Sequence, residues 1–183
     1  MIKKIVKTII QKLIMTNFFK YPRIWIETAK LQEIDNNNGV IIYYNDPERS
    51  KIIELIKKIK TEVEMILEYN EAYQIYMAVQ KVKKIEGEKA EVGTFRGVSA
   101  KLISEAENKK KIHIFDTFEG LPKLSRFDDS DHFFQGQFSS SLNDVKAYLK
   151  NYKNVYFYKG LFPLTSDPVK KVKFSFVHLD LDL

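Results

Sequence analysis

Four acids in this 183-residue chain stand where carboxylates do chemistry: Glu91 before a pair of glycines, Asp116 at the end of KIHIFD, and Asp180 with Asp182 in the closing VHLDLDL. Residues two apart on a strand face the same side, so Asp180 and Asp182 would present paired oxygens in one direction. Paired carboxylates invite a cation, and with no cysteine in the chain the hard oxygen donors point to magnesium or calcium. Such an ion could hold a substrate diol and make its hydroxyl more acidic. The alternative is two acids solvated at an exposed strand end. Asp116 lies 19 residues past Gly97, where a carboxylate can accept both hydroxyls of a ribose or simply cap the loop that follows. His178 shares the face of Asp180 in principle, and neither it nor His113 or His132 is assigned a role.

The segment AEVGTFRGVSA (90–100) reads as a strand, a glycine turn and the start of a helix. A phosphate loop would need a lysine followed by Ser or Thr after its last glycine, and Gly97 is followed by Val98, Ser99 and Ala100. A dinucleotide fingerprint would need a second glycine where Phe95 stands, so that the backbone could approach a pyrophosphate. What remains is Gly93 and Gly97 at a spacing of four, which suits a ligand that touches the turn without a pyrophosphate, such as S-adenosylmethionine.

The elements that must position these residues follow from periodicity. After Gly87 the chain alternates KAEVGT, VSAKLISEAENK, KIHIFDT, SLNDVKAYLKNY, NVYFYKG and FSFVHLDLDL. That order is β-α-β-α-β and a last strand, which predicts an α/β fold, a doubly wound Rossmann-like parallel sheet with its ligand site at the carboxyl ends of the strands. Upstream, Pro47 opens a helical pattern, and a second helix follows Asn70. VIIYY is a short extended piece within an otherwise irregular 21–50. Two regions are expected: an α-helical N-terminal extension over 1–69 and a partial ligand-binding core over 70–183. SRFDDSDHFFQGQFSSS reads either as a lid or as a surface insertion.

The charge of +6 comes from 30 basic and 24 acidic residues interleaved along the chain, so charge alone selects no partner, and no nucleic acid is expected. The excess concentrates in residues 1–30, where Lys3, Lys4, Lys7, Lys12, Lys20, Arg23 and Lys30 face one acid, Glu27. Ile2, Ile5, Val6, Ile9, Ile10 and Leu13 form a stripe at helical spacing. That basic amphipathic helix either docks on an anionic membrane or partner, or packs on its own domain or a second subunit as a homo-oligomer contact. Lysines interrupt it too often for a signal peptide, and the expected location is cytoplasmic.

EVGTFRGVSA resembles the first motif of class I S-adenosylmethionine-dependent methyltransferases, in the form shared by catechol-type O-methyltransferases. FDTFEGLP (115–122), GQF (136–138), KGLFP (159–163) and VHLDLDL (177–183) resemble, in order, the macrocin O-methyltransferase-like family. Its members methylate sugar hydroxyls of natural products. The resemblance covers roughly residues 70–183 and implies an S-adenosylmethionine-dependent O-methyltransferase with a small-molecule acceptor, a sugar hydroxyl. It implies a class I methyltransferase fold that is incomplete at the C-terminus, with four of the usual seven strands and a last strand left as a sheet edge. Cofactor contacts are expected from Glu91 to the methionine amino group, and from Gly93, Phe95, Gly97 and Ser99 in the turn. Asp116 with Thr117 would reach the ribose, and Phe118 would cover the adenine. Asp180 is expected to be catalytic and, with Asp182, to hold Mg2+. The competing readings are a nucleotide- or NAD-binding α/β protein and a non-catalytic docking module.

Overall fold

The computed structural model describes residues 29–33, 40–44, 47–125 and 131–181, and the basic N-terminal stripe, Asp182 and part of the 125–141 loop fall outside them. The chain divides into two compact units, Met1–Leu55 and Ile56–Leu183. In the first, β1 (Ala29–Glu33) and β2 (Val40–Tyr44) pair antiparallel with Ala29 opposite Tyr44. β2 is the extended VIIYY; its partner AKLQE lacks the β-branched alternation that would have marked it as a strand. Helix α1 (Pro47–Glu62) begins with proline at its first position, which costs no hydrogen bond there, and carries Glu48 in its first turn and Lys60 in its last, matching the helix dipole.

The second unit carries the alternating layout. It comprises the last turns of α1, α2 (Tyr69–Val82), β3 (Glu88–Val92), α3 (Val98–Ala106), β4 (Ile112–Asp116), α4 (Leu142–Tyr148), β5 (Val155–Lys159) and β6 (Phe174–Leu179). The four strands form one parallel sheet in the order β5-β4-β3-β6. The order reverses at β3: two successive crossovers lead from β3 to β4 and from β4 to β5, and the chain then returns to β6 on the other side. Crevices at such reversals are where ligands bind in open α/β sheets. The unit begins at Ile56, earlier than the expected start of the core at residue 70.

Burial explains the order. β3 and β4 are central, and their residues are buried on both faces apart from the ends. One face is covered by α3, whose Val98, Leu102, Ile103 and Ala106 are buried, with α2 packed against it through Ala72, Ile75 and Val79. On the other face Ala90, Val92 and Phe115 meet Val169 from a short 3-10 helix, with Tyr158, Val172 and Phe174 around them. β6 pairs with β3 alone among the described residues and leaves Val177 and Leu179 exposed, as expected for a sheet edge.

Lys89 is fully buried within β3, where an apolar residue is the norm. Its ammonium lies 3.1 Å from the Glu107 carboxylate and also reaches the Glu107 and Ile103 carbonyls at the end of α3. It thus caps the helix with a positive charge where unsatisfied carbonyls and the dipole favour one.

Candidate functional site

The carboxyl ends of all four strands open on one cavity of about 390 Å³. β3 delivers Gly93 to Arg96, β4 delivers Asp116 and Thr117, β5 delivers Gly160 to Phe162, and β6 delivers Asp180. Each sequence motif therefore contributes to one wall, and GQF joins them through Phe138. The volume falls within the roughly 300–1,000 Å³ of small-molecule sites.

The turn is built around absent side chains. Gly93 has φ +84°, and a Cβ there would overlap the backbone carbonyl of Asp180. Asp180 donates its own amide to Val92 at 2.9 Å, so the end of β6 is drawn against the turn. Gly97 has φ +81°, precedes the first residue of α3, and faces the side chains of Val145, Leu149 and Tyr148 at 3.2–3.4 Å. Both glycines were expected to touch a cofactor. The position of each missing Cβ is claimed by protein. The smallness of Gly93 and Gly97 serves the packing of β6 and α4, and the turn meets the cavity with its backbone.

Asp116 ties that turn to its neighbour. One carboxylate oxygen accepts the amide of Thr94 at 2.7 Å and that of Phe95 at 3.4 Å, and the other accepts the Phe118 amide at 2.6 Å. Asp116 caps its own loop and also lines the cavity. A carboxylate offers about four acceptor positions, so three amides leave capacity for a further donor. Thr117 is turned to its own loop, donating to the Gly120 carbonyl at 2.7 Å, and it too lines the cavity.

Glu91 is fully buried behind Gly93, Thr94 and Ser99. One oxygen accepts the Thr94 hydroxyl at 2.7 Å, and the other has no hydrogen-bond partner. Burial pushes its carboxyl up to about 8; the Ser99 and Thr94 hydroxyls act in the opposite direction, while Asp180 and Asp116 add to the rise. The lysine partner that a buried acid would ordinarily need is engaged elsewhere, since Lys89 turns to Glu107.

Phe95 and Phe138 meet edge to face with ring centroids 5.9 Å apart, both at positive φ. Non-glycine residues adopt that conformation rarely, and here it turns both rings onto the cavity wall. Phe118, expected to cover an adenine, also has positive φ; it is buried with its ring centroid 6.3 Å from that of Phe157 and is not among the residues lining the cavity. Leu161 and Phe162 supply the exposed apolar surface on that side instead. KGLFP was quoted in the sequence only as a motif, and no periodicity marked its apolar pair as cavity wall.

The approach from α2 was also missed. Glu64, Ile66 and Leu67 in the α1–α2 connection and Glu71 in α2 line the cavity, and Glu64 pairs with Arg96 at 3.0 Å while the guanidinium lies 5.1 Å from the Phe95 ring. Such an exposed pair contributes little stability, so its relevance is positional. The helical pattern of PERSKIIELIKKIKTEVEMIL runs on through Leu67 in the sequence, whereas α1 ends at Glu62, so Glu64, Ile66 and Leu67 read as helix rather than as cavity wall.

Asp180 is half-exposed at the lip, with His178 Nε2 3.9 Å from its carboxylate. Burial lowers the pKa of His178 and Asp180 opposes that shift. Among the described residues no three His, Cys, Asp or Glu side chains gather as a metal site, and Asp182 lies outside them. One carboxylate and one imidazole do not fit a divalent oxygen site, which takes about six ligands.

The sequence model of the macrocin-O-methyltransferase (TylF) family matches residues 68–183. The chain belongs to this family. The TylF-type region therefore begins just before α2 and contains the whole sheet and every sequence motif quoted above. Among solved structures, the O-methyltransferase NovP is similar at 22% identity with a TM-score of 0.51, over 61% of this chain and 53% of that one. The calicheamicin methyltransferase CalS11 is similar at 17% identity with a TM-score of 0.52, over 82% of this chain and 75% of its own. These likenesses confirm the α/β methyltransferase-type fold, and the TylF-family chain spans about half the length of NovP and three-quarters of CalS11. No curated protein matches it.

Proposed function

We propose that the cavity binds S-adenosylmethionine and that the chain provides the cofactor site of an O-methyltransferase acting on a sugar hydroxyl. The observation that supports this best is the convergence of the glycine turn, Asp116 and Asp180 on one cavity, in a chain of the TylF family. The acidic floor favours a cationic ligand over a pyrophosphate, which argues against the dinucleotide reading. The remaining acceptor position on Asp116 suits a ribose hydroxyl, and the walls at Phe95, Leu161 and Phe162 suit a flat apolar base. The α3 start and the Ser99 hydroxyl suit a carboxylate, with Glu91 as the opposing charge for an amino group.

S-adenosylmethionine supplies an electrophilic methyl group for transfer to an acceptor oxygen. The chain's share of the chemistry is chiefly positioning, which holds the two reacting groups in line and spares the entropy of bringing them together. Asp180, which lines the cavity and has His178 Nε2 3.9 Å from its carboxylate, would take the proton of an acceptor hydroxyl. No step is assigned to Mg2+, because the described donors are too few. The sugar acceptor rests on the family alone.

Calorimetric titration of the full chain with S-adenosylmethionine tests the reading. Saturable one-to-one binding, competed by S-adenosylhomocysteine and not by NAD, is expected. A folded chain that binds NAD and neither adenosyl ligand overturns it.

A further inference from the structure

Glu91 is the only acid below one-tenth exposure among the described residues. Among the described residues its neighbourhood contains no available cation. Lys89, on the same face of β3, is committed to Glu107; Lys101 of α3 to Glu62; and Arg96 of the turn to Glu64. Glu71, where α2 meets the cavity, accepts the Glu68 amide at 2.8 Å. From β4 comes Asp116, and from the end of β6 comes Asp180, both negative. His178 stands opposite Glu91 in the β3–β6 register, and its burial disfavours the charged form. Among the described residues the neutral hydroxyls beside Glu91 are those of Thr94 and Ser99, and one carboxyl oxygen has no hydrogen-bond partner.

A buried carboxylate facing two other carboxylates, with no cation, is costly to ionise, so the empty site retains a proton on Glu91. Thr94, whose hydroxyl donates to Glu91 at 2.7 Å, and Ser99 both line the cavity together with Gly93, so the groups that touch Glu91 also meet whatever occupies the cavity. A cation arriving there reverses the balance, because an opposite charge within about 4–6 Å favours the ionised acid.

We propose that Glu91 exchanges its proton for the ammonium group of the bound cofactor, so that uptake of S-adenosylmethionine releases one proton to solvent. This rests on the cofactor reading above and adds a step to it. The carboxylic acid loses its proton, the resulting carboxylate faces the ligand's ammonium directly or through Thr94 and Ser99, and charge within the floor is conserved. The burial that pushes Glu91 up to about 8 fixes where the coupling operates. Below that pH binding competes with a proton, and above it the acid is already ionised.

Calorimetry in two buffers of different ionisation enthalpy reads the coupling on the intact chain, with S-adenosylmethionine as the probe. Close to one proton should leave per ligand bound at about pH 7, and affinity should rise roughly tenfold per pH unit up to about pH 8 and then level off. Glu91→Gln should abolish both the release and the pH dependence, whereas His178→Gln should leave them in place. In the ligand-free wild type, a carboxylic-acid infrared band at about pH 6 that bleaches on addition of ligand gives the same reading without a variant. Binding without proton release, or release unchanged in Glu91→Gln, overturns the coupling and leaves the cofactor reading standing. No binding at any pH overturns both.

Discussion

A side chain on Gly93 would occupy the position of the Asp180 carbonyl oxygen, so the first glycine of the turn and the residue after β6 are in backbone contact. Gly93→Ala must either push the end of β6 outward or move the turn, at a φ of +84° that alanine adopts only with strain. Loss of about 3 kcal/mol or more is expected, since strain and overpacking each cost roughly 1–3 kcal/mol. Gly97→Ala meets only side chains, which can yield, and should cost about 1–2 kcal/mol. Urea denaturation of the two variants without ligand gives the ranking, and equal losses would contradict this contact as the reason for Gly93.

Asp116 is a structural acid before any ligand arrives. Asp116→Asn replaces one acceptor oxygen with a donor facing a backbone amide, either that of Thr94 or that of Phe118. Hydrogen bonds to charged groups contribute about 1.5–3 kcal/mol, so the ligand-free chain should lose stability on that order. Unchanged denaturation together with weakened cofactor binding would mean that Asp116 serves the ribose alone.

For Glu91 the sign of the pH effect follows from where its proton is held. The folded chain keeps that proton to about 8, while an unfolded glutamate loses it near the ordinary 4.5. Across that window the unfolded state binds fewer protons, so this group's contribution is intact at low pH and is lost as pH rises, at about 1.4 kcal/mol per unit. Glu91→Gln should therefore raise the melting temperature at about pH 8 and change it little at about pH 5. A wild-type-minus-variant difference that stays flat across this range would show that Glu91 is ionised in the folded chain.

Lys89 and Glu107 give the opposite kind of buried charge. Glu107→Gln leaves the Lys89 ammonium without its counter-charge and should cost about 3 kcal/mol or more. Lys89→Met removes the charge together with its need for a partner, although two helix-end carbonyls lose a donor. In thermal melts the double variant should recover part of the Glu107→Gln loss. Additive losses would mean that the two groups act independently.

Much of this protein was legible in the sequence. The alternation of strand and helix patterns after Gly87 predicted the parallel sheet, because each run is short and bounded by turn residues, and the ordered motifs pointed to the family that the comparison assigns. They also placed the turn, Asp116 and Asp180 at one sheet edge, since parallel strands joined by crossovers all end on the same side.

What each residue does there was decided by tertiary structure. A spacing of four between Gly93 and Gly97 says that side chains are excluded, and only the packing of β6 and α4 says what excludes them. An aromatic after a strand can face a ligand or the core, and only the fold shows Phe118 buried beside Phe157. The partner of a buried charge can lie anywhere in the chain: Lys89 finds Glu107 at the end of α3, and one oxygen of Glu91 has no partner. Sequence periodicity reports which face of an element is buried; contacts between elements far apart in the chain determine what that face meets.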